Sequence, residues 1–216
     1  MLAGLPWRAL GVRMGAARKV GGSAVLIDAG RLGGAAHRLY PPLPVPETVQ
    51  RAMEAAFPAV RLVARPGAQD MMQVLATADA VHFHGHGTVR GTVASLLLPS
   101  AKEEDPPYHF GSWDLAGLRP GRLSLAVISA CHGGAGGGDP WNPRGLVRAL
   151  KAAGAKNVLA NEWSVDSLAG SRFFERFYGQ MARGMDVADA VESAAAGLRS
   201  HPDTSHPYYW AGWRIY

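Results

Sequence analysis

Histidine recurs at every second position in Val81-His82-Phe83-His84-Gly85-His86-Gly87. The only cysteine, Cys131, ends a second apolar run, Leu125–Cys131. A cysteine attacks carbonyl carbon as thiolate, so it needs a base nearby or a preformed thiolate–imidazolium pair. The base need not be close in sequence, and His86 lies 45 residues upstream. Two other chemistries compete for these residues. On a strand, His82, His84 and His86 point to one side, and a His-x-His at a strand end can ligate a metal in a metal-dependent hydrolase. Such a site recruits carboxylates from other strand ends; Asp139, Glu162 and Asp166 are available, without a recognisable spacing. The plainer reading packs His82 against the sheet and makes His84 a neighbour that orients His86. For Cys131 the plain reading is a buried, inert thiol, and for His132 a surface place in the glycine-rich stretch Gly133–Gly138. That stretch lacks the Lys-Ser/Thr ending and the following helix of a phosphate loop.

The elements that must position these groups alternate between strand and helix. Ala24–Ile27, Val60–Ala64, Ala80–Phe83, Leu123–Ala130 and Asn157–Ala160 read as strands, with Thr92–Leu98 a further candidate. Pro46–Ala56 reads as a helix with Val49, Ala52, Met53 and Ala56 on one face, and Ala68–Ala78 as another along Met71, Met72 and Leu75. A short helix is expected from Ser112 or Trp113 to Leu118. Pro143 precedes a helix through Ala153 that Gly154 stops. Ser164 is the expected cap of a long helix burying Leu168, Phe173, Phe177 and Met181, and Asp186 caps Val187–Leu198. Tyr208–Ile215 reads as a last, aromatic strand; Pro41–Pro46 and Ala101–Pro107 read as connectors. This order predicts an α/β three-layer sandwich, a mainly parallel sheet with helices on both faces. In such sheets ligands bind beyond the carboxyl ends of the strands, where both the histidine run and Cys131 fall. The glycines after them would permit sharp turns and close approach of a substrate.

Ser129-Ala130-Cys131-His132-Gly133 has the framing of the caspase signature Q-A-C-[RQG]-G, whose histidine lies roughly 50 residues upstream. More of the chain follows. Val81–Gly87 and Leu125–Cys131 resemble the histidine and cysteine motifs of the CHAT domain family, caspase-like cysteine proteases often attached to tetratricopeptide repeats. Gly145–Leu150, Ala153-Gly154-Ala155, Trp163–Asp166 and His206–Trp210 resemble its later segments, and Leu5–Leu10 its start. The chain departs from the family where His132-Gly133-Gly134 replaces Glu-Thr-Gly, and where Ser167 replaces a second acid after Asp166. The repeats are absent. The resemblance implies a caspase-like fold and a thiol protease, a hydrolase in which His86 and Cys131 are catalytic. The backbone N–H groups of Gly87 and Cys131 would hold the oxyanion, each such donor being worth about 3 kcal/mol of barrier. An Arg or Lys before the cut bond would want an acid, and Asp166 or Glu162 follows the strand beside the cysteine strand. Asp166 could equally serve the helix dipole. No cofactor is called for. The expected partners are a protein or peptide substrate and a regulatory protein, in prokaryotic circuits such as defence or cell death. A metal hydrolase or a catalytically silent interaction module are the alternatives.

Composition bounds these readings. The chain has 216 residues, 48% of them hydrophobic and 18% charged, which excludes a disordered acidic chain. A chain of this size buries about 70% of its surface on folding, enough for one domain. Residues 1–22 read as a basic, poorly ordered start and 23–216 as the protease domain. The charge of +5 belongs to residues 1–40, which hold six basic groups and one acid, and the remainder is balanced. A nucleic-acid binder would carry its basic excess on the folded body, and no uninterrupted apolar run approaches the roughly 18 residues of a membrane helix, so neither nucleic acid nor membrane is an expected partner. One cysteine precludes an internal disulfide and suits a reducing compartment, hence a cytoplasmic protein.

Overall fold

The computed structural model describes residues 21–34, 36–90, 93–119, 121–132, 144–164 and 166–216; for Arg90, Val93, Cys131, His132 and Arg144 it describes the backbone. Leu5–Leu10, Gly133–Gly138, Asp139 and Pro143 lie outside the described residues. Strands β1 (Ser23–Ala29), β2 (Ala59–Ala64), β3 (Ala80–Arg90), β6 (Leu125–His132) and β7 (Asn157–Asn161) form a parallel sheet in the order β2-β1-β3-β6-β7. Three antiparallel strands complete it: β8 (Trp213–Ile215) beyond β7, β4 (Val93–Leu98) on β3, and β5 (Tyr108–Phe110) on β4. Alternation along each strand feeds two cores. Val25, Ile27, Val81, Phe83, Ala126 and Ile128 pack towards α3 (Ala68–Thr77) and α4 (Arg144–Ala152). Ala24, Leu26, Leu125, Val127 and Leu159 pack towards α2 (Glu47–Ala56), α5 (Ser167–Ala182) and α6 (Val187–Ser200). Both sheet faces are thus covered, as the strand–helix alternation requires. A short α1 (Ala36–Leu39) precedes the connector to α2.

Two strands run further than their apolar cores suggest. β3 continues through the whole His-Gly-His-Gly segment because β4 pairs with its end, Gly87 with Leu96 and Thr88 with Ser95. Gly85 is therefore no turn. It lets β1 approach: a Cβ there would sit 3.1 Å from the Ala29 carbonyl carbon. Likewise β6 carries Cys131 and His132 inside the strand.

The long helix starts later than expected. Its cap is Asp166, whose carboxylate accepts from the Ala169 N–H at 2.9 Å, instead of Ser164. This start turns Leu168 outwards, 60% exposed, while Phe173 and Phe177 are fully buried. Burying each contributes on the order of 2 kcal/mol. Asp186 caps α6 as the sequence indicates, accepting from Asp189 N–H. The aromatic ending is not one strand. Pro207 starts a helical turn, α7 (Pro207–Trp210), with His206 accepting from the Tyr208 N–H, and β8 covers only Trp213–Ile215. Pro pre-sets the helical φ at such a first position and removes a donor that a strand would need. Ser112–Leu118 contains a single 3-10 turn, Asp114–Gly117. Among the described residues no helix is long and apolar enough to cross a membrane.

Candidate active site

Parallel pairing of β3 and β6 sets the site. The register is His82 with Val127, His84 with Ser129 and His86 with Cys131. Neighbouring strands lie about 4.8 Å apart, so one register step brings the histidine and cysteine positions, distant in sequence, side by side. Gly87 follows on β3, in register with His132 on one side and Leu96 on the other.

The three histidines have three environments. His82 is fully buried between the sheet and α5, its Nδ1 2.8 Å from the Tyr178 hydroxyl and its ring edge-on to Phe174. Burial, and to a lesser degree the neighbouring His84, hold its pKa well below 6.5. His84 is lowered chiefly by burial; the Asp28 charge and the carbonyls of Pro44 and Leu43 act against this. His86 is lowered by burial too, opposed by the carbonyls of Pro41 and Gly30. Its Nε2 lies 2.9 Å from the Pro41 oxygen. A carbonyl only accepts, so Nε2 carries the proton and Nδ1 of the neutral ring is left with a lone pair. The Tyr40 ring packs against the imidazole, centroids 5.4 Å apart. The connector before α2, read from sequence as a mere proline-rich link, is thus what holds His86. A Leu43 N–H bond to the Gly30 carbonyl, 2.9 Å, ties that connector to the end of β1.

One pleat behind the His86–Cys131 pair, about 7 Å along the strands, a cavity opens at the carboxyl ends of β3, β6 and β7. His84, Ser129, Asn161, Asp166, Phe174 and Trp213 are among its lining residues. Asp166 therefore lies in this cavity as well as capping α5. Glu162 is not among the lining residues: it pairs with Arg214 at 3.4 Å and accepts from the Tyr216 hydroxyl. Among the described residues no three His, Cys, Asp or Glu side chains are grouped as a metal would require. The ring centroids of His82 and His84 are 6.3 Å apart, and the Nδ1 of His82 is engaged by Tyr178. Pro41, Tyr40, Asn161 and Trp213 carry no sequence signal for a site role; only their position in the fold reveals them.

This is the layout of a caspase-like sheet, and the CHAT domain model matches residues 36–216; the chain belongs to the CHAT domain family. Among solved structures, it is similar to the Arg-specific cysteine proteinase gingipain R (TM-score 0.53, 12% identity), covering 91% of this chain and 46% of that one. It is similar, too, to the complex of Porphyromonas gingivalis RgpB pro- and mature domains (TM-score 0.53, 13% identity, 91% and 47% covered). The chain spans just under half the length of these proteinases, and at this identity the likeness is one of fold: that of a caspase-like cysteine protease. No curated protein matches the chain.

Proposed function

We propose that this domain is a cysteine endopeptidase working through a His86–Cys131 dyad. The observation that carries the reading is the register, which seats the two positions opposite each other on adjacent parallel strands at their carboxyl ends. With its Nε2 proton on Pro41, His86 takes the thiol proton at Nδ1 as the sulfur attacks the scissile carbonyl. The tetrahedral oxyanion accepts from the N–H groups of Gly87 and Cys131. His86 then gives the proton to the leaving amine, the C–N bond breaks, and water hydrolyses the thioester with His86 again as base. The Pro41 carbonyl fixes tautomer and ring orientation, the part a carboxylate plays in a triad. Asp166 is the acid that reads the residue before the cut bond; Glu162, taken up by Arg214 and Tyr216, supports β8 instead. The lone thiol suits a reducing, cytoplasmic setting. The substrate is a protein, and the family points to a regulated prokaryotic circuit such as defence or cell death, with a regulatory protein partner.

The test is a peptide-library digest with wild type, Cys131→Ala and His86→Ala side by side. Both variants should lose about 10⁴-fold or more in kcat/KM, and a thiol reagent should label Cys131 faster than free cysteine at neutral pH. Full activity in Cys131→Ala, with sensitivity to chelators, would sink the reading in favour of a metal hydrolase. Absence of turnover together with slow labelling would mark a silent interaction module.

A further inference from the structure

Strand β7 reads Asn157-Val158-Leu159-Ala160-Asn161, and the asparagine at each end lends its side chain to the cysteine strand. Asn157 Nδ2 donates to the Ser124 carbonyl at 3.2 Å, just before β6 begins. Asn161 Nδ2 donates to the Ala130 carbonyl, also at 3.2 Å, one residue before Cys131. Between them the backbone pairing runs from Leu125 with Asn157 to Ile128 with Ala160. β6 continues beyond that point to His132, in register with β3. There the β7 backbone serves β8: Asn161 is in register with Trp213, and the Glu162 N–H donates to the Gly212 carbonyl at 2.8 Å. The Ala130 carbonyl thus receives a side-chain donor where the β6–β7 ladder ends. Asn161 is 1% exposed, and its Nδ2 also donates to the Trp163 carbonyl at 2.6 Å. Both partners are carbonyls, which only accept, so the amide nitrogen is the atom that faces them.

We infer that Asn161 is a positioning residue: by holding the Ala130 carbonyl it aims the Cys131 N–H, one of the two donors to the oxyanion. The inference rests on the protease reading above and adds a residue to its machinery. The Ala130 carbonyl and the Cys131 N–H are the two ends of one planar trans peptide and point in opposite directions. With the oxygen tied to β7, the N–H is directed towards β3, the strand that carries His86 and Gly87. An oxyanion donor acts best when its direction is set before the charge develops. A bond to the carbonyl also polarises the peptide and strengthens its N–H as a donor. Without that bond the peptide before Cys131 could rock about the strand, and a misplacement of about 1 Å at a reacting centre costs about 100-fold in rate. The second bond of the same nitrogen, to Trp163, keeps the amide from swinging away. Asn157 makes the corresponding bond at the amino end of β7, far along the strand from Cys131, and so provides a control of the same chemistry.

The experiment compares the wild-type chain with Asn161→Leu, Asn161→Ser and Asn157→Leu, each checked for a native circular dichroism spectrum. Three quantities are read: kcat and KM on the best-cleaved peptide of the library digest, inhibition by the aldehyde of that peptide, and alkylation of Cys131 by iodoacetamide. The sulfur adds to the aldehyde carbon, and the former carbonyl oxygen takes the oxyanion place. Iodoacetamide loses iodide as its methylene carbon bonds to sulfur, so no oxyanion forms. Asn161→Leu should lower kcat about tenfold or more with KM within about twofold, and weaken the aldehyde by a similar factor. Asn161→Ser, smaller and without the amide, guards against a leucine variant that does not fold and should lower kcat about threefold or more. The iodoacetamide rate should stay within about twofold in both, since it follows the thiolate, and Asn157→Leu should leave all three quantities unchanged. Unchanged kcat in a folded Asn161 variant, alkylation that falls in step with kcat, or an equal loss in Asn157→Leu overturns the inference and leaves the protease standing. Absence of turnover in wild type refutes the protease reading, and the inference falls with it.

Discussion

Replacing His82 by phenylalanine should change stability in a way that depends on pH, and the buried Tyr178 pair allows the size to be worked out. In the folded chain the His82 imidazole is fully buried and stays neutral well below pH 6.5. In the unfolded chain it titrates near 6.5. The folded pKa is depressed, so the unfolded state binds the extra proton and stability falls as pH drops below 6.5. At pH 5 an unfolded histidine is almost fully protonated, and the loss is about 2 kcal/mol as long as the folded ring remains neutral. His82→Phe removes this term, but it leaves the Tyr178 hydroxyl, 2.8 Å from Nδ1 in wild type, without its partner. That costs about 1–3 kcal/mol at every pH. The double variant His82→Phe/Tyr178→Phe removes both polar groups in nearly the same volume and should recover most of the loss. The assay is urea denaturation at pH 7.5 and pH 5 for wild type, the single and the double variant. Wild type should lose about 2 kcal/mol more than the double variant between the two pH values. Parallel pH profiles, or a double variant less stable than the single one at pH 7.5, would refute the account of His82 as a buried neutral group paired to Tyr178.

Two further perturbations probe the frame. Gly30→Ala places a Cβ against the Leu43 carbonyl, which must shift the connector that carries Pro41; kcat should fall about tenfold or more, and folding to a native circular dichroism spectrum with unchanged kcat would contradict the role given to the Pro41 carbonyl. At the other end of the sheet, Asp79 accepts from Ser23 N–H at 2.8 Å and from Arg122 Nε at 2.6 Å. These bonds, the Arg122 contact foremost, lower its pKa to about 2; its stabilisation is present above the unfolded value of 3.8 and is lost as pH falls through 2. Asp79→Asn should cost about 1–2 kcal/mol at pH 7, with Arg122 mostly exposed limiting the loss, and an unchanged denaturation midpoint would show that the contact contributes nothing.

Much of this site is written in local pattern. The period-two histidines and the apolar run into Cys131 are legible because a strand's two faces translate directly into spacing, and the alternation of strands with helices predicts a mainly parallel sheet with both ends at its carboxyl edge; that the two strands are neighbours is seen only in the fold. What stays hidden depends on contacts between distant segments. Nothing in His-Gly-His-Gly reveals that β4 will take over from β1 along β3 and keep it extended; the glycines signal a turn when read alone, and only the close approach of Ala29 shows the use of Gly85. The cap of α5 illustrates the same limit over a few residues: Ser164 and Asp166 are both good caps, and packing of Phe173 and Phe177 against the sheet decides between them. The proline-rich connector is the largest gap, since a backbone carbonyl has no letter in the sequence, and any residue at position 41 with the right path could offer one.

The spacing of the three histidines has a consequence for how such a site is built. One strand of fixed pleat carries them from the deepest part of the core to the sheet's working end, and the pairing with Val127, Ser129 and Cys131 moves in step. The innermost histidine can be neutral and structural because Tyr178 answers it. The outermost can exchange a proton because Pro41 holds one of its nitrogens and leaves the other. The middle one shares with His82 an Nε2 that is buried with no partner among the described residues, and burial lowers the pKa of both rings. It is also in register with Ser129, one pleat behind Cys131. A strand of period two thus carries identical side chains into unlike surroundings, and what separates a structural imidazole from a candidate base is the partner each meets, the Tyr178 hydroxyl for His82 and the Pro41 carbonyl for His86.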